Sequence, residues 1–132
     1  MVQNLGNHLI VELYNCQPAA INDVGFVESA MKRAVTVSGA TMVQSVFHKF
    51  NPHGVSGVIV IEESHFTVHT WPEYGYCAVD IFTCGTEVDY YAALHCLQEQ
   101  FAAKNLSVSE IKRGILDLPV RLLHKPDCTV PN

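Results

Sequence analysis

Apolar and polar positions along this chain change period several times, and each change marks an element. From His8 to Tyr14 the residues are mostly apolar and β-prone, which predicts a first strand. Val24, Val27, Met31, Ala34 and Ser38 then recur at spacings of three and four, the period that gathers side chains on one helix face. Asn22 or Asp23 can cap the start of that helix, and Gly39 can close it in a left-handed conformation. Thr41 to Phe50 returns to β-prone residues. Asn51-Pro52-His53-Gly54 supplies turn chemistry before Val58-Ile59-Val60-Ile61, a hairpin signal.

The next stretch, His65 to Trp71, alternates Phe66 and Val68 against His65, Thr67 and His69, and so predicts a half-buried strand. Pro72-Glu73-Tyr74-Gly75 breaks it before another strand from Tyr76 to Phe82. Thr86 with Asp89 reads as a capping box, and Tyr90, Leu94, Leu97 and Phe101 mark the apolar stripe of a second helix running to about Lys104. A short strand from Leu106 to Lys112 follows. From Pro119 onward, Pro126 and Pro131 punctuate a tail with little periodicity. No internal repeat or low-complexity stretch is visible.

Strand, helix, several strands, helix and strand in that order predict an α+β fold: a two-layer α/β sandwich whose mostly antiparallel sheet carries two helices on one face. Val58 to Ile61 is apolar on both sides of its strand, so the other sheet face also needs cover. A second copy packing sheet to sheet supplies it, which predicts a homodimer.

Composition narrows the class. At 132 residues the chain is expected to form a single domain, 1–132, and 48% hydrophobic against 16% charged residues suits a packed core. A net charge of −5 with scattered Lys and Arg offers no basic face to a phosphate backbone, so nucleic acid is not an expected partner. Met1 to His8 lacks a basic segment followed by an apolar one, and no apolar run reaches the ~18 residues of a membrane span. The expectation is a soluble, cytoplasmic protein with no membrane partner. Five cysteines, Cys16, Cys77, Cys84, Cys96 and Cys128, are odd in number and widely spaced, which suits reduced thiols in a cytosolic compartment.

Chemistry concentrates in Glu62-Glu63-Ser64-His65-Phe66-Thr67-Val68-His69-Thr70-Trp71-Pro72-Glu73-Tyr74-Gly75-Tyr76, with Cys84-Gly85 eight residues further on. Taken singly, each residue has a plain structural reading: Ser64 in a turn, His69 in a strand, Glu73 in a solvated loop, Cys84 flanking a helix. Together, the Glu-Ser-His site, the His-Thr-Trp-Pro-Glu-Tyr-Gly-Tyr block and the Phe-Thr-Cys-Gly end resemble the bacterial and archaeal S-adenosylmethionine decarboxylase family, which is pyruvoyl-dependent. Further matches run through Leu5-Gly6-Asn7-His8-Leu9, Ser38-Gly39-Ala40-Thr41, Phe47-His48-Lys49-Phe50 and Gly54-Val55-Ser56-Gly57-Val58. The resemblance spans residues 5 to 105, and motifs this long and ordered are specific. Glu62 departs from it, standing where the family often carries a small polar residue.

The resemblance implies a proenzyme that cuts itself between Glu63 and Ser64 into a β chain, 1–63, and an α chain, 64–132, so that the dimer becomes an α2β2 heterotetramer. The cofactor it implies is a pyruvoyl group made from Ser64. Decarboxylating an amino acid leaves a carbanion at Cα that no ordinary side chain delocalises, so a carbonyl must form a Schiff base with the substrate amine and act as electron sink. His69 is by resemblance the proton acceptor of processing, Ser56 a support for the oxyanion or relay, and Cys84 the proton donor of the decarboxylation. A free thiol titrates near 8.5, so at neutral pH it holds a proton to give. Resemblance assigns Glu73 to the substrate's ribose hydroxyls. An adenine ring and a sulfonium both suit π faces, which makes Phe50 and Trp71 candidates, each equally readable as core, with Leu5 a weaker one.

The implied product is decarboxylated S-adenosylmethionine, the aminopropyl donor for spermidine. Three other readings stand beside it. The same chemistry can act on arginine or ornithine; the chain can be a silent partner subunit, although Ser64, His69 and Cys84 are all intact; or a Ser/His pair can hydrolyse, although no nucleophile elbow is visible. His48, His53 and His65 invite a metal but lie on different elements without ligand spacing, so none is expected.

Overall fold

The computed structural model describes residues 2–62, 64–84 and 87–117. Its sheet follows from alternation. In β5 (Tyr76–Thr83) every second residue, Cys77, Val79, Ile81 and Thr83, is buried, and in β4 (Ser64–Trp71) the same face is carried by Phe66, Val68 and Thr70. With β1 (Val2–Tyr14), β2 (Met42–Lys49), β3 (Val55–Ile61) and β6 (Asn105–Asp117) they make a six-stranded sheet in the order β2-β3-β4-β5-β1-β6. All neighbours in it are antiparallel.

Two long helices, α2 (Val24–Ser38) and α3 (Tyr90–Gln100), pack against each other and against one sheet face, preceded by a short α1 (Pro18–Ile21). Their buried stripe, with Val27, Met31, Val35, Leu97 and Phe101, closes on Val11, Ile59, Phe66 and Ile81 of the sheet. Each such fully buried side chain contributes about 1.5–3 kcal/mol, so this single layer contact organises the fold. The predicted two-layer α+β architecture is thus present. The other sheet face is open, with Ile10, Val46, Val60, Trp71 and Ile111 exposed on it.

The helix termini are chemically explicit. Asp23, one of the two predicted caps, accepts a hydrogen bond from Phe26 N at 3.0 Å, and Gly39 ends α2 at φ 83°, where a Cβ would be strained. At α3 the structure corrects the expectation: the cap is Asp89, whose side chain accepts from Ala92 N at 3.0 Å, and Val88 and Asp89 themselves are not helical. An aspartate caps as well as a threonine, and a helix starting at Tyr90 leaves that phenol free to reach Thr83. Thr86 and Gly85 lie outside the described residues, as do Glu63 and the expected tail from Pro119, with Cys128, Pro126 and Pro131.

Three further differences concern strand length and one missed element. β1 begins at Val2 rather than His8, β3 begins at Val55 rather than Val58, and β6 runs to Asp117. β1 and β6 stay paired from Val2↔Asp117 to Tyr14↔Asn105, so backbone hydrogen bonding extends both beyond their apolar stretches. The helix α1 was not anticipated; it starts at Pro18, a favoured first helical residue, and buries Ile21. Among the described residues no helix is long and apolar enough to cross a membrane.

Candidate active site

The strand β4 (Ser64–Trp71) carries candidate site residues at both its ends. At its C-terminal end His69 pairs directly with Ser56 of β3, and Ser56 Oγ lies 2.7 Å from His69 Nδ1. Beyond them Trp71 leads into a 3₁₀ turn, Pro72–Tyr74, closed by Gly75. Phe50, His53, Ser56, His69, Trp71 and Glu73 together line one concavity of about 340 Å³. Phe50 is 47% and Trp71 39% exposed, so neither is core, and both stand at the rim of this concavity.

The turn between β2 and β3 holds one wall. Phe50 N donates to Gly54 O at 2.8 Å, closing the turn, while Gly54 N donates to Asn22 Oδ1 at 2.9 Å. Val55 N donates to Thr70 Oγ1 at 2.9 Å, and the same hydroxyl donates to Ile21 O at 2.8 Å. The buried Thr70 and the α1–α2 corner therefore anchor the turn to the body of the protein. His53 Nε2 sits 3.1 Å from Glu73 Oε2 and joins the turn to the 3₁₀ segment across the concavity.

At the N-terminal end of β4, Ser64 pairs with Ile61 after the connection Glu62-Glu63. Ser64 Oγ lies 3.3 Å from Cys84 Sγ, a contact between residues 20 positions apart. The end of β5 just before Cys84 is tethered: Thr83 Oγ1 and Tyr90 Oη are 2.5 Å apart, and Asn7 Nδ2 donates to the same phenol at 3.4 Å. Tyr90 therefore links α3, β1 and β5 next to the thiol.

Ser64 and Cys84 are thus brought together, and so are Ser56, His69, Glu73, Phe50 and Trp71, but the two groups are not. Five residue steps along extended strand separate Ser64 from His69, about 16 Å at ~3.3 Å per step. Leu5 belongs to neither group; it packs over Gly114 in the β1–β6 ladder.

Between the two groups the open face carries a polar chain that sequence reading did not anticipate. Arg113 Nη1 lies 3.3 Å from His8 Nδ1, His8 Nε2 lies 3.3 Å from Asp80 Oδ1, and Thr67 donates to Asp80 Oδ2 at 3.1 Å. These residues occupy neighbouring strands β6, β1, β5 and β4, so only the register aligns them. Beside them, burial first and then His8 push the His65 imidazole below its ordinary value. Burial, followed by the hydrogen bond it donates to Glu12 Oε1 at 2.5 Å, pushes the Tyr76 phenol up. His48 packs edge-on against Phe50 with ring centroids 4.6 Å apart, and among the described residues no three His, Cys, Asp or Glu side chains cluster as metal ligands do.

The sheet and the helix layer laid on it have counterparts in known proteins. The family model described as S-adenosylmethionine decarboxylase matches residues 7–114. Proteins named S-adenosylmethionine decarboxylase proenzyme from Clostridium tetani and Thermotoga maritima are 47% and 50% identical to it, over 90% and 88% of this chain and 94% and 89% of their own. The crystal structure of the adenosylmethionine decarboxylase from Aquifex aeolicus superposes with a TM-score of 0.82 at 31% identity, covering 91% of this chain and 99% of that one. The chain belongs to the S-adenosylmethionine decarboxylase family.

Proposed function

We propose that the chain is a proenzyme that converts Ser64 to a pyruvoyl group and then decarboxylates S-adenosylmethionine, yielding the aminopropyl donor used in spermidine synthesis. The observation that carries this reading is the 3.3 Å approach of Ser64 Oγ to Cys84 Sγ, in a chain of this family. A hydroxyl on the residue that becomes the new terminus and a thiol that can deliver a proton are the pair that the two reactions need side by side. Processing divides the single unit 1–132 into 1–63 and 64–132.

In processing, the Ser64 hydroxyl attacks the Glu63 carbonyl and the Ser64 nitrogen leaves as an amine, giving an ester. Loss of the Ser64 Cα proton then expels the Glu63 carboxylate, and one water enters as ammonia departs. His69 serves as the base. With His69 Nδ1–H donating to Ser56 Oγ, the Nε2 lone pair is free to take the Ser64 proton, and the Ser56 hydroxyl proton is free for the oxyanion on Glu63.

That relay requires His69 beside Ser64, and within one chain they sit at opposite ends of β4. Two copies packed open face to open face about a twofold axis resolve this, because the His69 end of one β4 then lies over the Ser64 end of the other. The exposed apolar side chains Ile10, Val46, Val60 and Ile111 favour such a homodimer, which becomes an α2β2 assembly on cutting.

A carbonyl at position 64 supplies the electron sink for the Cα carbanion. Around it residues of the two facing copies bind and protonate, the His69 group of one copy and Cys84 of the other. Glu73 accepts hydrogen bonds from the ribose diol, Phe50 and Trp71 offer π faces to the adenine and the sulfonium, and Cys84 returns the proton to Cα. The free thiols Cys16, Cys77, Cys84 and Cys96 suit a cytoplasmic site of action.

Intact-mass measurement of the purified protein tests processing: the expected result is two chains of 63 and 69 residues, the second lacking its terminal amine. Carboxyl-labelled S-adenosylmethionine, arginine and ornithine, each supplied alone, test the substrate. Labelled CO2 is expected from the first only; release from either amino acid instead would replace the nucleoside substrate.

A further inference from the structure

His53 and Glu73 stand on separate loops, yet His53 Nε2 meets Glu73 Oε2 at 3.1 Å across the concavity that also holds Phe50 and Trp71. We infer that His53 is a positioning residue of the nucleoside subsite, holding the Glu73 carboxylate in the orientation that accepts the ribose hydroxyls. The inference deepens the proposed function and rests on its assignment of Glu73 to the ribose.

A glutamate on a surface turn has several rotatable bonds, and fixing them when ligand arrives weakens binding. A carboxylate that is already held loses less. An ionised carboxylate presents about four lone-pair sites, so one contact at Oε2 leaves ample capacity for a pair of vicinal hydroxyls.

His53 is suited to the role because its own turn is anchored, through Gly54 N to Asn22 and through Val55 N to the buried Thr70. The neighbouring cation does not compete. Lys49 Nζ turns back onto the carbonyl oxygens of Phe50 at 2.7 Å and Pro52 at 3.4 Å. Both His53 and Glu73 side chains are also partly exposed, 40% and 35%, and exposed ion pairs add little to fold stability. What the pair contributes is orientation at the concavity.

Calorimetric titration with 5′-methylthioadenosine and with its 2′,3′-dideoxy analogue provides the test, on wild type, His53→Ala and His53→Gln. His53→Ala is expected to weaken the ribose-bearing ligand about five- to tenfold while leaving the dideoxy analogue unchanged. His53→Gln, whose amide can still donate to the carboxylate, should stay within about twofold of wild type, with the melting temperature nearly constant throughout. On a Glu73→Gln background, His53→Ala should have no further effect. Unaltered affinity in His53→Ala, or an equal loss for the dideoxy analogue, would overturn the inference alone. A wild-type protein that binds neither nucleoside would overturn it together with the ribose assignment.

Discussion

Ser56 Oγ and His69 Nδ1 meet at 2.7 Å across the β3–β4 ladder, where the two residues are direct register partners. Neither residue can drift from the other without breaking strand pairing, so the contact on which the proposed relay rests is built into the hairpin. The same hairpin carries Ser64 to its far end.

A mixed dimer therefore separates one-chain from two-chain catalysis. In cells making both a Ser64→Ala chain and a His69→Ala chain, neither homodimer should cut. A mixed dimer should cut the His69→Ala chain, using the histidine of its companion. Random pairing places roughly a quarter of all chains in the cut state, visible as two fragments on a denaturing gel. Absence of any fragment, with each protein soluble and mixed dimers isolated by two tags, would return the relay to a single chain.

The proposed function gives Cys84 a part in the second reaction and none in the first. Replacing it with alanine should leave the cut at Ser64 intact by mass while slowing labelled CO2 release and product formation about 10²-fold, the range for losing one general acid. Normal turnover in that variant would remove the thiol from the proton path.

His65 ties stability to pH. Burial, His8 and Arg113 depress its folded-state titration below the ordinary 6.5, partly opposed by Asp80, while Phe82 packs against the ring. A histidine with a depressed folded pKa binds its proton more readily when unfolded, so the contribution to folding is intact above pH ~6.5 and declines as pH falls below that value. His65→Gln should flatten the fall in urea midpoint between about pH 7 and 5 relative to wild type. An unchanged slope would show that other groups carry it.

Gly57 beside Ser56 has a steric reason to be glycine. A Cβ there would stand 2.1 Å from the Phe47 ring, across the Phe47↔Gly57 pair. Gly57→Ala should destabilise the fold by about 1–3 kcal/mol, read from the urea midpoint, and Phe47→Leu in the same chain should recover part of that loss. Additive effects of the two substitutions would contradict the contact.

Much of this protein was legible in one dimension. The α2 helix from Val24 to Ser38, with Asp23 and Gly39 at its ends, follows from local period and capping chemistry, and the alternation of β4 and β5 follows from burying one face of each. The ordered motifs around Ser64, His69 and Cys84 marked the family before any coordinates. Those signals are local: a periodic pattern reports a face turned to the core and says nothing of its neighbours.

Only the tertiary structure decided the rest. The strand β6 has almost no buried face, so its sequence carries weak alternation, and its pairing with β1 at twelve positions rests on backbone hydrogen bonds that leave no side-chain signature. Register, in turn, brought Cys84 to Ser64 and His53 to Glu73 while holding His69 at the other end of the strand. Adjacency in space depends on how distant segments pair, and the linear order of motifs does not encode it.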